Sequence, residues 1–416
     1  MSEQPDSAAE QAPAPSKPLR HNRNFQLLWT GQVLSDLGSG FGALAYPLLV
    51  LALSHSAVIA GAVGTVASVV AFVVRLPAGA LADRLDRRKT MIVCDGVRAA
   101  VLAGLAGAVA LRAVTWPVVL VVAIVDRVGD TIFTPASTAA LPSIVESEQL
   151  ESAWAGTEAR QYAASLGGPA LGGVLYGLGR AVPFIGDTIS YGISVLTSSG
   201  IRGEFRPAPS DTPRRGLWKE AFEGVRALWH DAVLRAVIIQ APLINFAFTG
   251  VIFTVTLALR RNGSSGTVIG LTQAAIMVGG LLGAIVAPRL QGRFTLSRSI
   301  VLLTGGGTLF FVIAAVVIPS PLVALPIAVP LFLSPATNAA LFAAMLRQTP
   351  EAMRGRVNNA LIQVATGLAA LAPLVAGLLV EDVSSHWAIG AFAVALAVSA
   401  VMALTLKGLR QAEAAV

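Results

Sequence analysis

The sequence predicts an all-α membrane fold, twelve transmembrane helices in two pseudo-symmetric six-helix halves. Three observations predict it: an apolar composition broken into helix-length runs, a one-sided distribution of basic residues, and an internal repeat offset by half the chain.

Of the 416 residues, 55% are hydrophobic and only 13% charged, with a mean hydropathy of +0.71. Soluble domains carry about 25% charged residues, and a water-soluble fold this apolar would expose large apolar patches. Spans of roughly 20 residues account for the length better than soluble domains do. The 40 glycines and 23 prolines fit as well, since membrane helices use glycine for close approach and tolerate proline where neighbours satisfy the freed backbone groups. The apolar runs place spans at 26–52, 57–82, 90–112, 115–141, 153–179 and 181–201. After a polar stretch come 233–258, 266–288, 298–318, 321–346, 357–380 and 385–406.

The flanking segments complete the organisation. Residues 1–20, rich in Ala, Pro, Ser, Gln and acids, are expected to be a disordered tail. They lack the basic and apolar regions of a signal peptide. The two halves are then 21–201 and 233–406, followed by a tail at 407–416. The linker, 202–232, holds apolar residues at helical spacing (Leu217, Phe222, Val225, Leu228, Trp229). It is expected to form an amphipathic helix lying on the membrane surface.

Orientation follows from lysine and arginine. The loops and tails on one side hold 22 basic residues; the other side has Arg112, Arg180, Arg260 and Arg261 alone. Both termini and the linker are therefore expected in the cytoplasm, with the chain in the cytoplasmic (inner) membrane. The net charge of +7 is read as this topological signal and not as a nucleic-acid surface. Cys94 is the only cysteine and the four histidines are scattered, so no disulfide, zinc cluster or HExxH-type set is expected. No Walker A loop occurs, and no nucleophile–base set converges, so neither an ATP motor nor an enzyme is expected.

The repeat is read directly. FTPASTAAL (Phe133 to Leu141) matches LSPATNAAL (Leu333 to Leu341), and the two close the fourth and tenth spans. Duplication of a six-helix unit leaves such a signature.

Ionisable residues inside spans are costly and are functional candidates by default. The candidates are Asp36, Arg75, Asp95, Arg98, Asp126, Arg127, Asp130, Glu158, Arg160 and Asp187, and no acid lies within a predicted span of the second half. A proton carrier is expected among Asp36, Asp126 and Asp130, the last two sharing a helix face four residues apart. A carboxylate in a poorly hydrated cavity can load and release a proton near neutrality. Arg98 and Arg127 would supply cavity charge. The structural alternative makes Arg75–Asp95 and Arg98–Asp130 buried ion pairs.

Two motifs carry a resemblance. GALADRLDRRK (Gly79 to Lys89), between the second and third spans, resembles the loop signature of the major facilitator superfamily. The resemblance implies a latch in the outward-facing state, in which Asp83 faces the start of the eleventh span near Gly355. A carboxylate gains there from unpaired N–H groups and the helix dipole. Gly79 and the cluster of Arg84, Arg87 and Arg88 complete it. Gly283 and Ala287 occupy the equivalent second-half positions, so the latch is expected to be one-sided. GGPALGG (Gly167 to Gly173) resembles the superfamily's antiporter signature, through Gly168, Pro169, Gly172 and Gly173. Pro373 and Gly377 are a weaker second-half version.

Further segments, RNFQLLWTGQVLSDLGSG (Arg23 to Gly40) and RQTPEAMRGRVN (Arg347 to Asn358), are similar to the macrolide-efflux-like branch, which includes the enterobactin exporter. The resemblance implies proton-coupled efflux of small amphipathic molecules by a monomer, with the proton gradient as driving force and no other cofactor. Its partners are a small-molecule substrate and membrane lipid. A uniporter or importer on the same fold is the competing reading, and a transport-inactive sensor the next.

Overall fold

A computed structural model describes residues 19–82, 84–203, 205, 217–290 and 294–406. Asp83 and the expected tails lie outside them except for Leu19 and Arg20, which fall in a 3-10 turn at Leu19–His21.

The described chain is helical throughout. The first half consists of α1 (Arg23–Ser54), α2 (Ala57–Ala82), α3 (Arg87–Ala110), α4 (Trp116–Ala140), α5 (Leu150–Leu178) and α6 (Val182–Gly200). The linker helix α7 (Leu217–His230) precedes α8 (Ala232–Arg261) and α9 (Gly266–Leu290). The ninth span is interrupted: α10 (Leu296–Val301) passes through a π turn at Leu302–Gly306 into α11 (Gly307–Val317). Next comes α12 (Ala324–Gln348). The eleventh span is α13 (Arg354–Gly367), a 3-10 turn at Leu368–Leu371, and α14 (Ala372–Asp382). Pro373, lacking an N–H, sits in the first turn of α14, where that donor is not needed. The last helix is α15 (Ser385–Thr405).

Polar caps set the ends. Asn22 Oδ1 accepts from Phe25 N–H at the start of α1, Asp86 Oδ1 from Lys89 N–H at α3, and Asp231 Oδ1 from Val233 and Leu234 at α8. Each satisfies donors that the first helical turn leaves unpaired.

Packing repeats between the halves. α1 packs on α5 and α6 as α8 packs on α14 and α15. α2 packs on α4 as α9 does on α12, and α3 on α6 as α11 does on α15. The two copies of the repeat end α4 and run through α12, with Pro135 and Pro335 both inside helices. Because successive helices run in opposite senses, one end of the bundle carries the α1–α2, α5–α6, α8–α9 and α14–α15 connections. We call it the distal end, and the end carrying the linker the proximal end.

Nine spans, counted among the described residues, are long and apolar enough to cross a membrane by length and composition. α4, α5 and α6 fall outside that set. α4 carries Asp126, Arg127 and Asp130, α5 carries Glu151, Glu158 and Arg160, and α6 mixes Asp187 with serines and glycines. Polarity is thus concentrated in three neighbouring elements of one half.

The linker helix turns its apolar face onto the second half. α7 packs on α8 and α13. Leu228 is fully buried in a cluster with Val233, Val237, Val357 and Leu361, and Glu223 Oε2 lies 3.2 Å from Arg356 Nη1. Its buried face therefore covers protein, because the proximal end of the second half offers it an apolar surface. The side chains of Leu217 and Phe222 lie outside the described residues.

Candidate functional site

At the centre of the first half, the Arg98 guanidinium of α3 collects partners from four helices. Its Nε donates to Asp126 Oδ1 at 2.8 Å. Nη1 lies 3.5 Å from Asp95 Oδ1, one turn back on α3, and Nη2 lies 3.5 Å from Asp130 Oδ1. Nη2 also donates to Ser39 Oγ of α1 at 3.1 Å and to the Tyr191 hydroxyl of α6. The guanidinium carbon stands 4.0 Å from the Tyr191 ring centroid, so cation–π attraction adds to the hydrogen bonds. Tyr46 of α1 donates to Asp126 Oδ2 at 3.3 Å. Gly129 leaves room for this: a Cβ there would fall 2.7 Å from Arg98 Cγ.

A second charged pair lies nearer the proximal end. Arg160 Nη1 of α5 is 3.0 Å from Asp36 Oδ2 of α1. The pair lines a pocket between α1, α4 and α5, together with Asp130, Gln32, Ser35 and Trp154. Asp130 therefore borders the Arg98 cluster and the pocket at once. Arg127, half-exposed, stands 3.6 Å from Asp130 Oδ2.

The sequence expectations map onto this geometry unevenly. Asp126, Asp130 and Arg98 come together; Asp36 stands apart with Arg160, which had no assigned role. The alternative pair Arg98–Asp130 is present. The pair Arg75–Asp95 is not: Arg75 Nη1 reaches across to Thr366 Oγ1 at 3.3 Å. Nothing in the sequence singles out Tyr46, Tyr191 or Ser39. Hydroxyls on spans are too common to signal a site unless their depth matches that of a buried charge.

The antiporter-like glycines lie in two seams. A Cβ on Gly168 would fall 2.6 Å from Gly40 Cα, and one on Gly172 2.7 Å from Phe41 Cα, so both seat α5 against α1. Gly173 faces the other half: its Cβ would stand 2.5 Å from the Gly266 carbonyl oxygen and 2.7 Å from Gly270 Cα. The Pro169 carbonyl also faces Gly270. In the second half, Gly377 meets the Ala57 carbonyl and the Pro373 carbonyl meets Gly61. Thus α5 closes on α9, and α14 closes symmetrically on α2, through small residues. Polar contacts reinforce the second seam. Glu381 accepts from Ser56 Oγ and Val58 N–H, both at 2.8 Å at best, and Leu374 N–H donates to Thr65 Oγ1 at 3.0 Å. The halves therefore meet closely at the distal end.

The chain matches the family described as transmembrane secretion effector over residues 14–416. It belongs to that family. It is a multi-pass membrane transporter of the major facilitator superfamily, in the branch that holds efflux proteins, and not an enzyme. Among its relatives is the multidrug efflux pump Tap of Mycobacterium tuberculosis, 25% identical over 411 residues and 94% of each chain. Another is the enterobactin exporter EntS of Citrobacter koseri, 25% identical over 365 residues and 86% of each chain. The fold is that of a bacterial homologue of the lysosomal transporter Spinster in an inward-facing, unoccupied conformation. The TM-score is 0.74 at 15% identity, covering 95% of this chain and 99% of that one. It is also that of a bacterial homologue of the iron transporter ferroportin in the inward-facing state. There the TM-score is 0.72 at 16% identity, covering 92% and 98%.

In this transporter two arginines of the loop motif, Arg87 and Arg88, bind their own half. Arg87 Nη1 donates to the Ala139 carbonyl at 2.8 Å, and Arg88 to the Ser198 and Ser199 carbonyls. These arginines hold α3 to the ends of α4 and α6, capping C-terminal carbonyls that a helix leaves unpaired. Gly355 lies in the first turn of α13, and neither Gly355 nor Gly79 has a neighbour within 4 Å of a built Cβ. Arg84 lies in the turn after α2.

Proposed function

We propose that this transporter is a proton-coupled antiporter that exports small amphipathic molecules from the cytoplasm. It would act as a monomer in the cytoplasmic membrane, with both termini and the 202–232 linker inside. The observation that carries the reading is the continuous charged path Asp126–Arg98–Asp130, ending at a pocket that holds Asp36 and Arg160. Charges at this depth cost several kcal/mol unless paired. A path of them through one half fits a relay of protons better than a packing device.

The halves 21–201 and 233–406 would rock about this site. With the distal seam shut, the pocket is reached from the proximal, cytoplasmic side. Opening the distal seam and closing the proximal ends would bring Asp83 to the start of α13, where the latch implied by the loop motif would act. Gly79 and Gly355 would then gain the neighbours they lack here, and Arg84 would lie beside them. The polar first half and the acid-poor spans of the second suit a molecule with one polar and one apolar face. The multidrug and siderophore relatives support that class.

The test is transport in proteoliposomes. With an imposed proton gradient, ethidium and a catecholate siderophore are offered as substrates. Movement against a concentration gradient that an uncoupler abolishes supports antiport. Equilibration unaffected by the uncoupler would favour a uniporter and sink the coupling.

A further inference from the structure

We infer that Asp187, on α6, holds the coupling proton in this distal-closed state; this rests on the antiport reading above. Asp187 is 1% exposed. Its Oδ2 has no hydrogen-bond partner, and its Oδ1 is met by Ser190 Oγ at 3.3 Å. Among the described residues it has no ion-pair partner. An ionised carboxylate so placed would be far too costly to bury, whereas a neutral carboxyl is tolerable.

The charge balance points the same way. Four charged or titratable groups face Asp187. Arg98 comes from α3, Asp126 from α4, Tyr46 from α1 and Tyr191 from α6 itself. The single cation, Arg98, is already bound to Asp126 at 2.8 Å and lies 3.5 Å from both Asp95 and Asp130. It cannot also neutralise Asp187. The helix α1 is shaped around the carboxyl: a Cβ on Gly38 would overlap Asp187 Oδ1 and Ser190 Oγ, and one on Gly42 would lie 3.7 Å from Asp187 Oδ2. The site fits a carboxyl group and leaves no room for a hydrated ion.

Depth gives the group a direction. Asp187 lies about 8 Å along α6 from its distal end, while Asp126 and Asp130 lie about 15 Å and 21 Å along α4 from its distal end. Exposure rises along the same line, with side chains 12% exposed at Asp126 and 35% at Asp130. The proton is taken from distal water onto the Asp187 carboxylate as an O–H bond. It is passed to Asp126, then Asp130, and leaves into proximal water, restoring each carboxylate. The Tyr191 hydroxyl, 3.5 Å from Asp126 Oδ1, stands between the first two groups.

Infrared spectroscopy of the full-length protein in lipid nanodiscs at pH 7.5 reads the proton directly. The wild type is expected to show a protonated-carboxyl C=O band that shifts in deuterium oxide. Asp187→Asn should lose it, and the double variant Asp36→Asn/Arg160→Gln, which removes both members of that ion pair, should keep it. Absence of the band in wild type, or its full retention in Asp187→Asn, overturns the proposal. Because Asn replaces a neutral group, Asp187→Asn should fold and melt close to wild type. A melting loss as large as that of Asp126→Asn would show instead that a charge had been removed. In proteoliposomes, gradient-driven ethidium efflux should be lost in Asp187→Asn, and efflux at the wild-type rate overturns the coupling role. If wild type itself moves no ethidium against the gradient while the band behaves as expected, the antiport reading fails, and the coupling role falls with it. A band retained in Asp187→Asn with normal wild-type efflux sinks the Asp187 proposal alone.

Discussion

The Glu381 carboxylate, in the last turn of α14, accepts a 2.8 Å hydrogen bond from the backbone N–H of Val58, in the first turn of α2. An acid at the C-terminal end of its own helix is poorly placed, because the dipole there is negative. At the start of α2 the same carboxylate meets unpaired donors and the positive end of a dipole. Ser56 Oγ donates to both of its oxygens, at 2.8 and 3.1 Å, and Arg261 Nη1 donates to the neighbouring Val380 carbonyl at 2.7 Å. A contact of the kind that the loop motif implies for Asp83 at the proximal end thus exists, with the halves exchanged, at the distal end.

Glu381→Gln should therefore loosen distal closure. An exposed carboxylate at a helix N-terminus contributes about 0.3–1 kcal/mol, so the open-to-closed ratio should rise roughly two- to five-fold. A disulfide reports it. A Cβ built on Gly177 lies 3.8 Å from Thr267 Cβ, within the range a disulfide spans. The pair Gly177→Cys/Thr267→Cys, in a Cys94→Ser background, should form under mild oxidation and stop transport reversibly. Adding Glu381→Gln should slow its formation. An unchanged rate would mean that the contact does not govern closure.

The glycine seam makes a sharper steric prediction. At Gly173 a methyl group meets backbone, at 2.5 and 2.7 Å, and backbone cannot rotate away. Gly173→Ala should disfavour the distal-closed state strongly and lower the cross-link yield. Gly79→Ala has open space around it and should leave the yield unchanged, although it lies in the motif implied to act in the opposite state. Equal loss of cross-linking in both variants would argue against a seam-specific effect.

These contacts show which features the sequence made legible. Apolar run length gave the helices, because a lipid-facing helix needs about 20 apolar residues and a polar loop must end it. The repeat gave the pairing of the halves, and GPALGG gave close packing without naming the partners. Rotation about each helix axis was not legible. Arg75 and Asp95 have compatible depth, yet Arg75 points across the interface to Thr366 while Asp95 lies beside Arg98 on its own helix. Glu381 fell just past the predicted end of the eleventh span. An acid in the last turn of a helix, where its own dipole opposes it, is the signal that could have found it.

Arg98 is expected to be indispensable to folding as well as to transport. Arg98→Met would strand Asp95, Asp126 and Asp130 beside one another, and losing one partner of a buried pair costs about 3–5 kcal/mol. Membrane yield should fall steeply. Arg98→Lys should not rescue it, because Nε, Nη1 and Nη2 address different partners and an ammonium cannot span them. Adding Asp126→Asn to Arg98→Met should recover part of the yield. Normal expression of Arg98→Met would show that the cluster is not what holds α3, α4 and α6 together.

Asp36 is one of the three acids expected to carry the proton, and its contact with Arg160 changes how it must be tested. Arg160 is buried, with a side chain 5% exposed, so Asp36→Asn leaves a guanidinium without its counter-charge. Loss of transport in that variant alone would therefore be ambiguous between coupling and folding. The double variant Asp36→Asn/Arg160→Gln removes both charges and should restore yield, since replacing a buried pair outright is far less costly than breaking it. If Asp36 takes part in coupling, the well-folded double variant still fails to move ethidium against its gradient. If the pair only joins α1 to α5, the double variant pumps like wild type, and the coupling acids are confined to the line from Asp187 through Asp126 to Asp130.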